Sequence, residues 1–304
     1  VAASFGLASA LSVVVLGDES GYETTAHQKM KLAAMEDMYE TQQAPASFTL
    51  FAVPTGDGQQ FAIRIPWVFG LIATRSFDQP VIGIDDLVKA AEGRITNGIV
   101  AYKALQQIHA NPTDQAARAT FQQTQQDLGY ALLLKQFPNG VENATSEDIA
   151  KAAQSTVPDV WVLFWTFRLM VAVGFFFIAF FAFWFWKAST HRLETSRAWL
   201  WVAVWALPLP WLAIESGWLI AELGRQPWVV EGILPTFYAA SGLSVWDLAI
   251  SLSFYVLVYT VLLAIMVWLM VRAIKHGPSE QSVLDLDEDM PAPATGAAKL
   301  EPAK

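Results

Sequence analysis

Residues 160–186 read VWVLFWTFRLMVAVGFFFIAFFAFWFW, 27 consecutive positions with a single charge, Arg168. At a rise of about 1.5 Å per residue, roughly 20 apolar residues cross the hydrocarbon core of a bilayer. Two further runs meet that length: Ala198–Ala221, 24 residues with only Glu215 charged, and Leu248–Val271, 24 residues with no charge. A shorter apolar run, Val1–Gly17, opens the chain. It lacks the basic flank and small-residue cleavage site of a signal peptide and reads as the outer part of a transmembrane helix cut short. The fold class that follows is an all-α integral membrane protein, a transmembrane helix bundle of three full spans plus one truncated span.

Composition agrees. Of 304 residues, 54% are hydrophobic and 15% charged, against roughly 25% charged in an average soluble domain. A net charge of −9 gives no reason to expect nucleic acid as a partner. The absence of cysteine excludes disulfides, thiolate metal sites and cysteine nucleophiles. The chain starts at Val1 rather than Met, which fits a fragment.

Basic residues in short flanks set orientation. Lys187, His191, Arg192 and Arg197 follow one span, and Arg272, Lys275 and His276 follow the last. Both flanks are expected in the cytoplasm. The chain then divides into a truncated span (1–17), a large and mostly helical outer loop domain (18–158), a span (159–187), a cytoplasmic loop (188–197), a span (198–222), an outer loop (223–246), a span (247–272) and a disordered cytoplasmic tail (273–304). A segment of ~140 residues is too long for a simple loop. Within it, Asp85 or Asp86 is expected to cap a helix with the stripe Leu87, Ala91, Ile95, Tyr102 and Leu105. A second helix is expected from Pro112–Thr113 to Leu134, with Phe121, Leu128 and Leu132 inward. Thr145-x-x-Asp148 resembles a capping box before a third. Gly56-Asp57-Gly58 and Pro138-Asn139-Gly140 mark turns.

Charges inside spans are expensive and point to a partner, a cavity or a cofactor. Arg168 and Glu215 are the two cases, and the plain reading is that they pair with each other or with a neighbouring subunit. Trp211, Glu215, Trp218 and Glu222 fall at i, i+4, i+7 and i+11, one face of a helix, with Arg225 a turn further on. Pro208 and Pro210 should distort this span. None of the four histidines (27, 109, 191 and 276) lies inside a span. A cofactor held in the membrane by this chain alone would need other ligands, such as Met170 or the stripe carboxylates. In the polar stretch Tyr22–Thr41, Lys31 and Glu36 are five apart, about 140° round a regular helix. A solvated face is the plain reading. The sharper one is a Lys that binds a carbonyl oxygen beside a Glu that takes a proton.

Three stretches carry a resemblance. Gly217-Trp218-Leu219-Ile220-Ala221-Glu222-Leu223-Gly224-Arg225-Gln226-Pro227-Trp228, followed by Gly232-Ile233-Leu234-Pro235-Thr236, resembles the signature of subunit I of the cytochrome bd quinol oxidases. Phe167-Arg168-Leu169-Met170-Val171 is similar to that family's haem-ligand helix. Lys31–Glu36, with Glu40-Thr41 and Ala44–Phe51, is similar to the start of its quinol-binding loop. The resemblance runs over nearly the whole chain apart from the tail.

The resemblance implies roles. Met170 would be an axial ligand of a low-spin haem b, with Arg168 beside it, and Glu222 would ligate a high-spin haem b. Trp218 and Arg225 would line the haem cluster, Arg225 facing propionates. Lys31 and Glu36 would act at quinol, ubiquinol or menaquinol, on the outer face of a bacterial inner membrane. The third haem would be haem d or another haem b. The family oxidises quinol and reduces O2 to water, building a proton-motive force without a pump. Its partners would be oxidase subunit II, a small single-span subunit and membrane lipid. The family's subunit I has roughly nine spans, with histidine ligands in its first half. This chain therefore reads as the C-terminal portion, needing the missing N-terminal half of the same subunit and inactive without it. The competing reading is a non-catalytic polytopic membrane module, a transporter half or scaffold whose charged stripe binds an ion or a partner helix.

Overall fold

The computed structural model describes residues 1–54, 59–76, 78–190 and 197–277. The expected turn at Gly56-Asp57-Gly58, the loop holding His191 and Arg192, and the tail beyond Gly277 lie outside the described residues. The chain forms two units, Val1–Ala240 and Ser241–Lys304.

Among the described residues, four helices are long and apolar enough to cross a membrane. The first, α1 (Ala2–His27), runs on past Gly17 to His27, through a polar stretch the hydropathy reading had placed in the loop. After α2 (Lys29–Met35) and a long intervening segment, the second is α8 (Val160–Ser189), whose first turn is capped by Asp159 accepting from the Val162 N–H. The third is split into α9 (Arg197–Ala206) and α10 (Leu209–Leu223). The break falls at Leu207–Pro208, as the prolines lead one to expect, because Pro208 has no N–H to give the helix and its ring crowds the preceding turn. Helix α8 packs on both α1 and α10. Against α1 the Phe181 ring covers Gly6, leaving no room for a Cβ there. In the second unit, α11 (Val245–His276) is a single helix of 32 residues, started by a capping box between Ser244 and Asp247.

Between α2 and α8 the chain builds a hairpin of β1 (Phe48–Pro54) and β2 (Gln59–Ile65), then α3 (Val68–Thr74), α4 (Ile84–Ala110), α5 (Gln115–Thr124), α6 (Leu128–Leu132) and α7 (Ser146–Gln154). The antiparallel hairpin, with Phe48 opposite Ile65 and Ala52 opposite Ala62, has no counterpart in the sequence reading. The expected helix 112–134 is broken instead. Asp114 caps α5 by accepting from the N–H groups of Ala116 and Ala117, and a 3-10 turn at Gln125–Asp127 separates it from α6. Its inward residues are Tyr130, Ala131, Leu133 and Leu134; Phe121, Leu128 and Leu132 are only half-buried. The cap of α4 is Gly83 rather than an Asp. Asp85 and Asp86 sit in the first turn, where Asp86 accepts from the Thr41 hydroxyl at 2.5 Å. Thr145 and Asp148 do form a capping box, and Gly140 takes φ +63° in the expected turn.

The core of this segment is Ala91 and Ile95 of α4 against Tyr130, Leu133, Leu134, Ala152 and Ala153, closed by Trp228 from beyond α10. Small residues let α4 approach α6: a Cβ on Gly98 would lie 2.9 Å from the Ala131 nitrogen. Leu133 and Leu134 are fully buried, each contributing about 1.5–3 kcal/mol of apolar burial.

Candidate functional site

The only charged side chain buried in a described span is Arg168, and three of its four partners come from residues 35–49. Its Nη1 donates to the Met35 carbonyl at 2.8 Å and the Phe164 carbonyl at 3.1 Å. Its Nη2 donates to the Thr49 carbonyl at 2.6 Å and to the Glu36 carboxylate at 3.1 Å. The guanidinium also lies 3.4 Å over the Phe164 ring. Glu36 is 3% exposed, the residue that ends α2, and it accepts the Thr49 N–H at 3.4 Å. Burial raises the Glu36 carboxyl from 4.5 to about 7, against the pull of Arg168 and the Thr49 N–H. The pairing of Arg168 with Glu215 does not occur. Glu215 is exposed, and Arg168 is satisfied instead by Met35 and Glu36 at the end of α2, Thr49 of β1 and the Phe164 carbonyl of its own helix.

On α10 the two faces are distinct. Ser216 and Ile220 are buried, and Ile220 packs with Leu163 of α8 and with Ala34 and Met35 of α2. The stripe of Trp211 (67% exposed), Glu215 and Trp218 (58% exposed) turns away from that contact. Glu222, at the end of the stripe, pairs with Arg225 at 2.5 Å. Met170, two residues beyond Arg168, packs against the same apolar cluster. Its sulfur reaches the α10 surface at Gly217, where a Cβ would stand 3.2 Å from it.

Lys31 points elsewhere. Its stem crosses Gly224, where a Cβ would come within 2.8 Å of the Lys31 Cγ. It enters a cavity of about 260 Å³ that it shares with His27, Arg94, Tyr130, Arg225 and Glu231. Arg94 is held in place by Asp127 at 2.7 Å and the Tyr130 hydroxyl at 3.1 Å, and lies 4.1 Å over the Tyr130 ring. Burial and the neighbouring Arg225 lower the Lys31 ammonium, while burial raises the Glu231 carboxyl.

The predicted residues thus fall into three places. Arg168 and Glu36 are bonded to each other; Lys31 and Arg225 share a cavity with Glu222 in electrostatic reach; Met170 lies at Gly217 and Trp218 is exposed. Lys31 and Glu36, adjacent in motif, do not meet. Arg94, Tyr130 and Glu231 were missed, because their convergence on Lys31 depends on tertiary packing of four separate segments. Only Glu231 carried a hint, three residues beyond Trp228 in the outer turn.

The donor set suits haem iron. A thioether and a carboxylate each offer one axial ligand. Gly217 leaves open the space beside the Met170 sulfur that a side chain would fill, and the Arg225 Nε is buried with no partner among the described residues. Among the described residues, no group of three or more His, Asp or Glu could hold a bare metal ion.

Comparison with known proteins agrees with the residue-level reading. The family description "Cytochrome bd terminal oxidase subunit I" matches residues 1–278. The chain is 36% identical to cytochrome bd-II ubiquinol oxidase subunit 1 of Escherichia coli (strain K12), over 90% of this chain and 54% of that protein. It is 25% identical to cytochrome bd ubiquinol oxidase subunit 1 of Bacillus subtilis (strain 168), over 92% of this chain and 49% of that protein. The chain spans about half the length of these relatives. With the family matched over nearly all of its described length, this membrane helix bundle belongs to the cytochrome bd terminal oxidase subunit I family.

Proposed function

We propose that the chain is part of subunit I of a haem-containing quinol:O2 oxidoreductase of the bacterial inner membrane. Quinol, ubiquinol or menaquinol, is oxidised at the outer face and O2 is reduced to water. In this reading residues 28–158 and 224–244 lie on the outer, periplasmic side and the C-terminus is cytoplasmic. Protons from quinol leave outside and protons for water enter from the cytoplasm, so a proton-motive force arises without pumping. Oxidase subunit II, a small single-span subunit and lipid complete the assembly.

The observation that carries the reading is the join between the outer segment and α8. Arg168 binds Glu36, Met35 and Thr49 on one side of the helix turn that presents Met170 on another. A quinol-facing segment is thereby fixed to the helix that would hold a low-spin haem b. Met170 would ligate that haem and Glu222 the high-spin haem b, with Trp218 and Arg225 alongside and the third haem d or b. When bound, haem supplies one-electron iron chemistry between quinol and O2. The chain's own part is to bind and orient. Lys31 offers a donor to a quinol oxygen, Arg225 offers positive charge to carboxylates, and Glu36 acts through Arg168 to hold the loop in register.

The test is the full-length gene product purified with its partners. Haem b absorbance and quinol-dependent O2 uptake are expected. A preparation with no haem bands would overturn the reading in favour of a non-catalytic membrane module.

A further inference from the structure

Within the cavity of Lys31 one carboxylate is present, and it is not Glu36. Glu36 is not among the residues that line the cavity and is bonded to Arg168. Glu222 is taken up by Arg225. Glu231 lines the cavity and, among the described residues, closes no ion pair. Resting on the reading above, we propose that Glu231 is a catalytic residue of quinol oxidation: it accepts the proton of one ring hydroxyl of a head group bound in the cavity against Lys31.

The turn that carries Glu231 is rigidly built. Trp228–Val230 (β3) pairs with Leu234–Pro235 (β4), and Gly232 takes φ +69°, a conformation few side chains tolerate. A Cβ on Gly232 would stand 3.0 Å from the Tyr130 ring, so the turn is seated on that ring. Trp228 packs on the same ring at 5.0 Å. The Thr236 N–H donates to the Pro227 carbonyl at 2.8 Å, closing the turn at its base. Glu231 is therefore presented by a fixed hairpin, with Lys31 of α2, Arg94 of α4 and His27 at the end of α1 in electrostatic reach.

The cavity is asymmetric. Arg94, Lys31 and Arg225 offer donors and positive charge, while Glu231 offers an acceptor, and His27, Tyr130 and Trp228 are also in the lining. A ring bearing two opposed oxygens matches this arrangement. The step is an acid–base one: the quinol O–H bond breaks, its proton bonds to the Glu231 carboxylate, and the quinolate anion rests against the Lys31 and Arg94 cations. Haem, when bound, would supply the acceptor for the quinolate's electrons. Burial holds the Glu231 carboxyl above its ordinary range, while Arg94, Lys31 and His27 oppose that rise, moving its proton affinity toward neutral pH, where a general base is effective.

The experiment uses the purified oxidase complex and a short-chain quinol and quinone. Glu231→Gln is expected to lower kcat by about a hundredfold and to abolish the acid limb of the pH profile. Equilibrium binding of the quinone is expected to stay within about threefold of wild type, since the amide keeps a polar group in place, while Lys31→Met weakens it by about tenfold. The haem spectrum should be unchanged in both. An Glu231→Gln enzyme with wild-type kcat and pH profile overturns the proposal, as does quinone binding that Lys31→Met leaves unaltered. A wild-type complex without haem or quinone binding instead overturns the underlying reading.

Discussion

Glu36 and Arg168 are 132 positions apart in the chain and meet at 3.1 Å, both buried. Removing one partner of such a pair leaves a stranded charge, at about 3–5 kcal/mol, whereas replacing both with apolar residues is often neutral. Arg168→Met is therefore expected to loosen residues 36–50 from α8, and Arg168→Met with Glu36→Met to restore docking. Hydrogen exchange of this segment in the intact complex measures it. Equal protection in wild type and the single variant would refute the latch.

Glu36 also gives a pH dependence. Burial raises its carboxyl from 4.5 to about 7, so between those values the folded protein holds a proton that the unfolded chain has released. The stabilisation is fully present below the unfolded value and is lost as pH rises through about 7, on the order of 3 kcal/mol. Thermal unfolding of the complex should show a fall in Tm between about pH 5 and pH 8.5 that Glu36→Gln flattens. Identical slopes would assign the dependence to other groups.

Space beside the Met170 sulfur is kept open by the absence of a side chain at Gly217, where a Cβ would stand 3.2 Å away. Gly217→Val is expected to push the thioether aside and to shift or abolish low-spin haem b absorbance, as Met170→Leu should also do. Unchanged spectra in both variants would remove Met170 from the ligand set.

Gly83 and Gly93 are both associated with α4 but predict opposite outcomes. A Cβ on Gly83 would run into the backbone of Tyr39 and Glu40, whereas one on Gly93 meets nothing. Gly83→Ala should cost about 1–3 kcal/mol through overpacking. Gly93→Ala, on an open helix surface, should stabilise by about 0.5–1 kcal/mol. Thermal unfolding of the two variants side by side reads the contrast.

The spans were readable because hydropathy is a local property: 27 residues with one charge state their own solvent. Caps and breaks were readable for the same reason, as Thr145 with Asp148 and Pro208 act on backbone groups within a turn. The β1–β2 hairpin escaped because several of its apolar residues, Leu50, Phe61 and Ile63 among them, remain exposed, so no alternation of buried and polar positions announced it. The stripe assigned to α4 held Ala91 and Ile95, which are buried, but passed over Gly98, which makes the close approach to α6, and the buried Ala101 and Ala104. Arg168 was recognised as an expensive charge but given a neighbour within the membrane. Its real partners lie on a loop 119 to 133 positions earlier, a separation no periodicity encodes. The resemblance named Lys31 and Glu36 together as a motif; in the fold Lys31 lines the cavity and Glu36 is bonded to Arg168.

The Arg168 contacts also bear on how the subunit can be taken apart. The segment between α2 and α8 does not end at a flexible tether: a side chain from α8 reaches into it and supplies bonds to Met35, Glu36 and Thr49. Transplanting that segment onto another scaffold, or expressing it by itself, would take the Arg168 donor away from a buried carboxyl and two carbonyls. Module boundaries drawn where the chain enters the bilayer are therefore the wrong places to cut, and a chimera that works must carry the first turns of α8 along with the loop.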